Sequence, residues 1–525
     1  MKRIFSIILA GLIFVSTTAI GQTTVDKKVL NWYNGAKFGM STDLAYKELL
    51  ASKTSTTVIV GVIDSGVDIE HEDLKGKIWT NTDEIPGNKI DDDNNGYIDD
   101  VHGWNFLGNA DGENLEHEQL EMTRLYSKYE ARFKGKSYTD LNDEEKKEYE
   151  LYKTVRERVE TERKDATQTL ELIMSIYNPA SEADTKIKKA TGGSYTDADL
   201  KKLSKDPELG KDAKYLSELH KLGLSMTVLQ EYVDYLNAQL EYHYNIDYNA
   251  RKIVGDDPDN FKDVGYGNSD VEGPDAMHGT HCSGIIGANR GNGIGNDGVA
   301  DNILIMSLRA VPDGDERDKD IALAIRYAVD NGASVVNMSF GKSYSPYQEE
   351  VIAAIRYAEE KGVLLIHAAG NDGKDIGEED NYPSPQYPSM STKFTNWIEV
   401  GASTRYKKAL AASFSNYSEK LVDIYAPGLE IYSTVPQSEY EESQGTSMAA
   451  PMVTGLAALL KSYFPSLTMF QIKDIILQSG QDVKEMKTPI PGGEESVYFS
   501  TLCNTGSIAN TYNAVKLAEE VSAKK

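Results

Sequence analysis

Residues 335–367 read VVNMSFGKSYSPYQEEVIAAIRYAEEKGVLLIH, and the fold class turns on them. Val335–Met338 and Val363–His367 are short, β-rich runs of the kind that forms strands buried on both faces. Between them, Tyr347–Lys361 sets Val351, Ile355 and Ala358 on one helical face and stops at Gly362. Strand, helix, strand implies a parallel pair with the helix packed over it. The same alternation extends outward. Upstream lie Ile303–Met306 and a helix over Asp318–Asp330, with Ile321, Ala324, Ile325 and Ala328 on one face. Downstream lies Ile398–Gly401, and far upstream Val58–Ile63. The expectation is an α/β fold, a doubly wound and mainly parallel sheet covered by helices on both faces, with its chemistry at the C-terminal ends of the strands.

The chain has 525 residues with 55 Lys+Arg against 82 Asp+Glu, a net charge of −27. That balance argues against a nucleic-acid partner or a basic membrane-surface protein, since either needs a cationic face. At ~150 residues per domain the length allows roughly three domain-equivalents. Hydrophobic residues make up 40%, and the 31 Tyr include many in strongly charged stretches. Two cysteines, Cys282 and Cys503, are too few for a disulfide framework.

Residues 1–21 read as a secretory signal. Lys2 and Arg3 precede the apolar run Ile4–Val15, which is too short to span a bilayer comfortably, and Ala19 and Gly21 suit cleavage before Gln22. The expectation is an exported protein, periplasmic or extracellular, with no stable membrane anchor once the signal is removed. Residues 22–49 form a short N-terminal segment, and 50–106 and 263–525 the two parts of the α/β domain. Residues 107–262 are charged, Tyr-rich and helical in period, with Tyr149, Tyr152, Val155, Val159, Ala166, Leu170 and Ile173 recurring on one face. Asn142 to Glu145 has N-cap spacing, and Asn178-Pro179 is expected to end that helix. This stretch reads as an inserted α-helical subdomain with a solvated charged face.

Three short motifs carry chemistry. Val62-Ile63-Asp64-Ser65-Gly66 puts a carboxylate at a strand end with a glycine to turn the chain, where a simple cap is the bland alternative. His278-Gly279-Thr280-His281-Cys282 sets a histidine at the start of a small-residue helix; His278 and His281 share a metal-ligand spacing but lack the accompanying Glu of a hydrolytic zinc site. Gln444-Gly445-Thr446-Ser447-Met448 opens an apolar helix with a serine, where free N–H groups and the helix dipole favour an oxyanion. Upstream, Ala368-Ala369-Gly370-Asn371 is a strand-end turn whose amide offers one more donor.

Taken together and in this order, Asp64, His278, Asn371 and Ser447 resemble the signature of subtilisin-type serine proteases, the subtilases. Ser447 lacks the G-x-S-x-G elbow of the α/β-hydrolases, and the chain order is also wrong for them. The resemblance covers roughly residues 50–104 and 263–520. It implies Ser447 as nucleophile, His278 as general base and acid, Asp64 as the group orienting the imidazole, and an oxyanion hole from the Ser447 N–H and the Asn371 side chain. It also implies that Ser339, Phe340 and Gly341 pair with an extended polypeptide substrate, and that Ala369 and Gly370, beside Ala368, wall the primary pocket; their small size leaves room for a broad, large-apolar preference, while Asp372 and the acidic run Glu378-Glu379-Asp380 offer a basic one as the alternative. Cys282 follows the histidine motif as in the proteinase K branch, where the thiol is free, so a Cys282–Cys503 disulfide is not expected.

Asp91-Asp92-Asp93-Asn94-Asn95-Gly96-Tyr97-Ile98-Asp99 resembles an EF-hand loop, with candidate oxygen ligands from Asp91, Asp93, Asn95, Tyr97 and Asp99. Position 12 is His102 instead of the bidentate Glu. Hard oxygens favour a structural Ca²⁺ over zinc, with an acidic solvated turn as the alternative. By resemblance, Asp73 and Asn292 form a second calcium site of the subtilase kind. The reading is therefore a calcium-stabilised, monomeric serine endopeptidase. Its alternatives are a processing enzyme gated by the insertion and a non-catalytic binding protein on a protease scaffold.

Few residues lie between the expected cleavage point and the α/β domain, and parallel sheets are slow to fold, so the insertion is expected to assist folding or gate the cleft. Replacing 107–260 with a short linker should therefore impair refolding and casein cleavage. A linker protein that refolds and cleaves as well as the full chain refutes the role.

Overall fold

A computed structural model describes residues 28–524, so the expected signal lies outside the described residues. Residues 122–248 form one compact unit; 28–121 together with 249–524 form the other. The helical unit is thus narrower than its charge composition implied. Residues 107–121 belong to the α/β unit because Glu118 N–H donates to the Asp313 carbonyl and Asp313 N–H to the Glu116 carbonyl, each at 2.8 Å. Residues 249–262 belong there through Arg251, which pairs with Asp320 at 2.7 Å.

In the α/β unit the described residues form a nine-stranded sheet. Its strands are β1 Val58–Asp64, β2 Gly103–Asn105, β3 Ile303–Arg309, β4 Val335–Met338, β5 Leu364–Ala368, β6 Trp397–Ser403 and β7 Ile424–Pro427, with the two-residue strands Gln481–Asp482 and Ser507–Ile508 beyond β7. The spatial order β7-β6-β5-β4-β1-β3-β2 is parallel throughout, and only the outer pair Gln481–Asp482 with Ser507–Ile508 is antiparallel. β1 to β7 are buried along almost their whole length, which is why runs such as Val58–Ile63 and Ile303–Met306 read as near-continuous apolar stretches instead of alternating ones.

Two cores flank the sheet. On one side Ile366, Ile398 and Val400 pack with the helix Thr446–Tyr463, whose Met448, Ala449, Ala450, Leu456 and Leu459 are buried. On the other, Met338, Leu365 and Trp397 pack with Ile321 and Ile325 of the helix Asp318–Asp330 and with Val351 and Ile355 of the helix Gln348–Lys361. Register aligns Asp64 with Arg309 and Met338 with His367, so β1, β3, β4 and β5 all end at one edge of the sheet.

The helical unit is built on one 49-residue helix, Asp143–Thr191, opened by a capping box between Asn142 and Glu145 and closed at Gly192 in the left-handed region (φ 88°). The expected stop at Pro179 does not occur. Proline removes one helical N–H and crowds the preceding turn, but Ala180, Ala183 and Ile187 beyond it are buried with Leu200, Ala213, Leu216 and Leu229, and that packing carries the helix through. No described helix is long and apolar enough to cross a membrane.

Candidate active site

β1 ends on Asp64, which is 1% exposed. The chain then turns through Gly66 at φ 130°, where a Cβ would lie 2.0 Å from the Glu272 carbonyl oxygen. The helix Met277–Gly287 docks against this turn, and a Cβ on Gly279 would lie 2.1 Å from the Gly66 carbonyl oxygen and 3.1 Å from the Asp64 Cβ. Two glycines thus let strand end and helix start meet backbone to backbone. The result is a 2.6 Å hydrogen bond from His278 Nδ1 to Asp64 Oδ1, an oxygen that also accepts the Ser65 N–H at 2.8 Å. The His278 side chain keeps 38% exposure, so its outer edge faces the cleft.

Burial opposes a charge on His278, but the Asp64 carboxylate more than offsets this through charge and hydrogen bond, and the net pKa is raised above the ordinary imidazole value. His281 behaves differently. It is buried with Nε2 between the carbonyls of Ile431 and Glu441 at 3.1 and 3.2 Å, and burial pushes its pKa down to about 4. Its ring anchors the hairpin Ile431–Val435/Glu439–Ser443, so the two histidines do not share a metal.

Ser447 sits in the first turn of its helix, after Gly445 at φ 150°. Its Oγ donates to the Ser339 carbonyl at 3.2 Å, and the structure does not join it to His278 by a hydrogen bond. Cys282 bridges the gap. Its Sγ lies within 4.8 Å of ligand atoms of both Asp64 and His278 and donates to the Ser447 carbonyl at 3.4 Å. The Ser447 backbone is therefore close to Asp64 and His278, while its hydroxyl is turned to the Ser339 carbonyl; in unliganded sites such hydrogen bonds are often long or poorly aligned. Cys282 and Cys503 are both free and buried. Burial, with the nearby Asp64 charge, holds the Cys282 thiol well above its usual pKa and keeps it protonated.

Asn371 is oriented by Thr446, whose N–H and Oγ donate to Asn371 Oδ1 at 2.8 and 3.0 Å. That contact fixes which end of the amide is nitrogen. A Cβ placed on Gly445 would lie 3.4 Å from Asn371 Nδ2 and 3.5 Å from the Ser447 nitrogen, so both donors border one small volume. Thr446 also accepts the Gly370 N–H at 3.0 Å. A cavity of about 300 Å³ is lined by Asp64 and His278 together with Ser339, Phe340 and Gly341. Ser339 Oγ donates to the Ser447 carbonyl at 2.9 Å, tying this segment to the serine helix. Ala369 and Gly370 lie across from it, and Asn381 spans the two. Its Nδ2 donates to the Ala369 carbonyl at 3.2 Å, and its Oδ1 is 3.0 Å from where a Gly341 Cβ would lie. Thr446 stands inside the serine motif, but its role in holding Asn371 has no signal in the sequence, and Asn381 stands in no motif at all.

The profile of the subtilase family matches residues 55–489. The chain belongs to the subtilase family. This subtilase is 37% identical over 241 residues to the thermophilic serine proteinase of Bacillus sp. (strain AK1), covering 46% of this chain and 52% of that one. It is 31% identical over 251 residues to the minor extracellular protease Epr of Bacillus subtilis (strain 168), covering 48% of this chain and 36% of Epr. It spans about half or less of the length of such curated relatives. Among solved structures, a cold adapted subtilisin-like serine proteinase aligns at 27% identity and TM-score 0.36 over 45% of this chain and 78% of its own.

The acidic loops divide into two groups. Carboxylate oxygens of Asp93, Glu84 and Asp100 lie within 4.8 Å of one another. They already accept hydrogen bonds, Asp93 from the Asn95 N–H, Glu84 from the Asp92, Asp93 and Asp99 N–H groups and Asp100 from Asn81, Asn95 and Tyr327; outside the cluster, Asp91 accepts the N–H groups of Asn95 and Gly96, and Asp99 those of Gly87, Asn88 and Lys89. Asn95 Oδ1 accepts the Tyr97 N–H, and the Tyr97 ring packs on Trp104 and Tyr327. Elsewhere, Asp73 is fully buried; its Oδ1 accepts Asn292 Nδ2 at 2.6 Å while its Oδ2 has no partner.

The subtilase resemblance makes His278 the base; a base must be neutral to accept a proton, and the folded protein favours the imidazolium of His278. kcat/KM for peptide hydrolysis should therefore fall as pH drops through a midpoint above the ordinary ~6.5. Asp64→Asn should lower that midpoint and cut kcat by about 10⁴. A pH–rate profile of both proteins decides; a wild-type midpoint below ~6.5 contradicts the assigned pair.

Proposed function

We propose that this subtilase is an exported serine endopeptidase. The carrying observation is the convergence of the Asp64–His278 hydrogen bond with a serine whose own N–H shares one small volume with Asn371 Nδ2. In the proposed reaction Ser447 Oγ attacks the scissile carbonyl carbon as its proton passes to His278 Nε2. Asp64 holds Nδ1–H in place and stabilises the imidazolium. The carbonyl oxygen, now negative, takes hydrogen bonds from the Ser447 N–H and Asn371 Nδ2. Collapse expels the amine with the proton returned by His278, and water releases the acyl group by the same steps in reverse. Loss of the Asn371 donor should cost ~10²–10³ in turnover. Ser339, Phe340 and Gly341 bind an extended polypeptide beside Ala369 and Gly370. The basic-apolar leader at residues 1–21 and the likeness to an extracellular protease support export to the periplasm or beyond.

Calcium fits two of the acidic loops. Asp73 Oδ2 is a buried carboxylate oxygen left without a donor, which a cation satisfies; Asn292, whose Nδ2 donates to Asp73 Oδ1 here, joins as a ligand by turning its amide oxygen toward the ion. Asp93, Glu84 and Asp100 gather three hard carboxylates at one point, and Ca²⁺ there offsets their mutual repulsion. Both ions serve structure: they fix loops next to β1 and β2 and take no part in the reaction.

A fluorophosphonate probe should label the wild-type chain and leave Ser447→Ala unlabelled, and casein should be digested at many sites. Equal labelling of both removes Ser447 from its role, while a single cut in casein favours a gated processing enzyme. Chelation with EGTA should lower the melting temperature by about 7 °C, roughly half of that for each of two ions held near 100 times their Kd in a unit of this size. Asp73→Asn should shrink that shift, and an unchanged melt rules the calcium sites out.

A further inference from the structure

His367 on β5 and Glu399 on β6 stand in register on adjacent parallel strands, and both side chains are fully buried. His367 Nδ1 lies 3.0 and 3.1 Å from the two Glu399 oxygens, and Trp397 Nε1 donates to Glu399 Oε2 at 2.7 Å. The other ring nitrogen, Nε2, lies 2.8 Å from the Phe340 carbonyl oxygen. A carbonyl oxygen only accepts, so Nε2 carries a hydrogen and donates. With a carboxylate facing Nδ1, a second hydrogen lies between ring and Glu399. The pair thus offers Phe340 a hydrogen-bond donor, held in place by Glu399, from beneath the cleft.

A buried ion pair gains the sheet little over apolar side chains of the same volume. What this one has is a target. In an extended chain the hydrogen-bonding groups of successive residues turn to opposite edges. Phe340 turns its carbonyl inward to His367, and Lys342 pairs inward with Tyr382 through two backbone bonds of 2.9 Å. Ser339 and Gly341 are left facing the cleft, where the Ser339 carbonyl meets Ser447 Oγ.

We propose that His367, held by Glu399, is a positioning residue that sets the register and outward aim of the Ser339–Gly341 edge, and through it the pairing of an extended substrate. This rests on the protease reading. Removing the donor should therefore weaken substrates long enough to pair with the edge and spare those that reach only the triad.

Two double variants test this. His367→Leu/Glu399→Leu removes both partners, which avoids stranding a buried charge. His367→Gln/Glu399→Gln removes the charge but keeps an amide donor for the Phe340 carbonyl. Each is assayed with a tetrapeptide anilide, which spans the edge, and with an N-acetyl amino-acid ester, which does not. The Leu pair should raise KM for the anilide about tenfold, the effect of one lost hydrogen bond, with kcat and ester hydrolysis within twofold of wild type. The Gln pair should restore the anilide KM. Equal behaviour of the Leu and Gln pairs, or equal losses on ester and anilide, overturns the proposal. If the Leu pair does not fold, a raised anilide KM in the Gln pair overturns it and a wild-type value supports it. Ester hydrolysis by the wild type reports on the triad alone, so its absence marks failure of the protease reading, and its presence confines any failure to the dyad.

Discussion

A strand end and a helix start can share a hydrogen bond as short as that of Asp64 and His278 only where nothing separates their backbones. Gly66 and Gly279 meet that condition, since a Cβ on Gly279 would sit 2.1 Å from the Gly66 oxygen. The rest of the site follows from this contact. The His278 ring is aimed by a carboxylate that is buried and therefore stationary, and Cys282, one helical turn on, supports the Ser447 backbone from behind. Small residues after His278 and after Ser447 keep both helices close to the sheet, so the two motifs meet despite a 214-residue separation between Asp64 and His278.

Much of this was legible in the sequence because the relevant residues are constrained locally. Val335–Met338 and Asp318–Asp330 fall where composition and periodicity place them. β2 was not legible: Gly103–Asn105 is three residues long and is strand only because β3 offers it an edge. The helix through Pro179 was misread for the same reason, since its continuation depends on partners up to some fifty positions downstream. Asp64, His278, Asn371 and Ser447 were legible as residues that recur together in one family. Their supports were not: Thr446, Asn381 and Glu399 act through a carbonyl, an amide or a ring that only the folded chain brings near. The acidic loop shows the same limit, for spacing along the chain pointed to Asp91 and Asp99, whereas folding brings Glu84 and Asp100 to Asp93.

The α/β unit also has to tolerate a long excursion of its own chain between Asp64 and His278. Loop-closure entropy grows only slowly with length, so the excursion itself costs little. Fixing where it leaves and returns matters more. The chain leaves at Glu121, whose carboxylate meets Lys342 Nζ at 2.9 Å, and Lys342 also pairs with Asp318 at 2.8 Å. It returns at Arg251, which pairs with Asp320, and at Asp256, which pairs with Lys319 at 2.7 Å. Both clamps close on the first turn of the helix Asp318–Asp330. These pairs are buried, so their worth lies less in net stability than in the cost of any arrangement that leaves one charge alone. That cost penalises a shifted exit or return. Lys342 directly follows the Ser339–Gly341 edge, so the clamp at the exit also steadies the segment that lines the cleft beside His278.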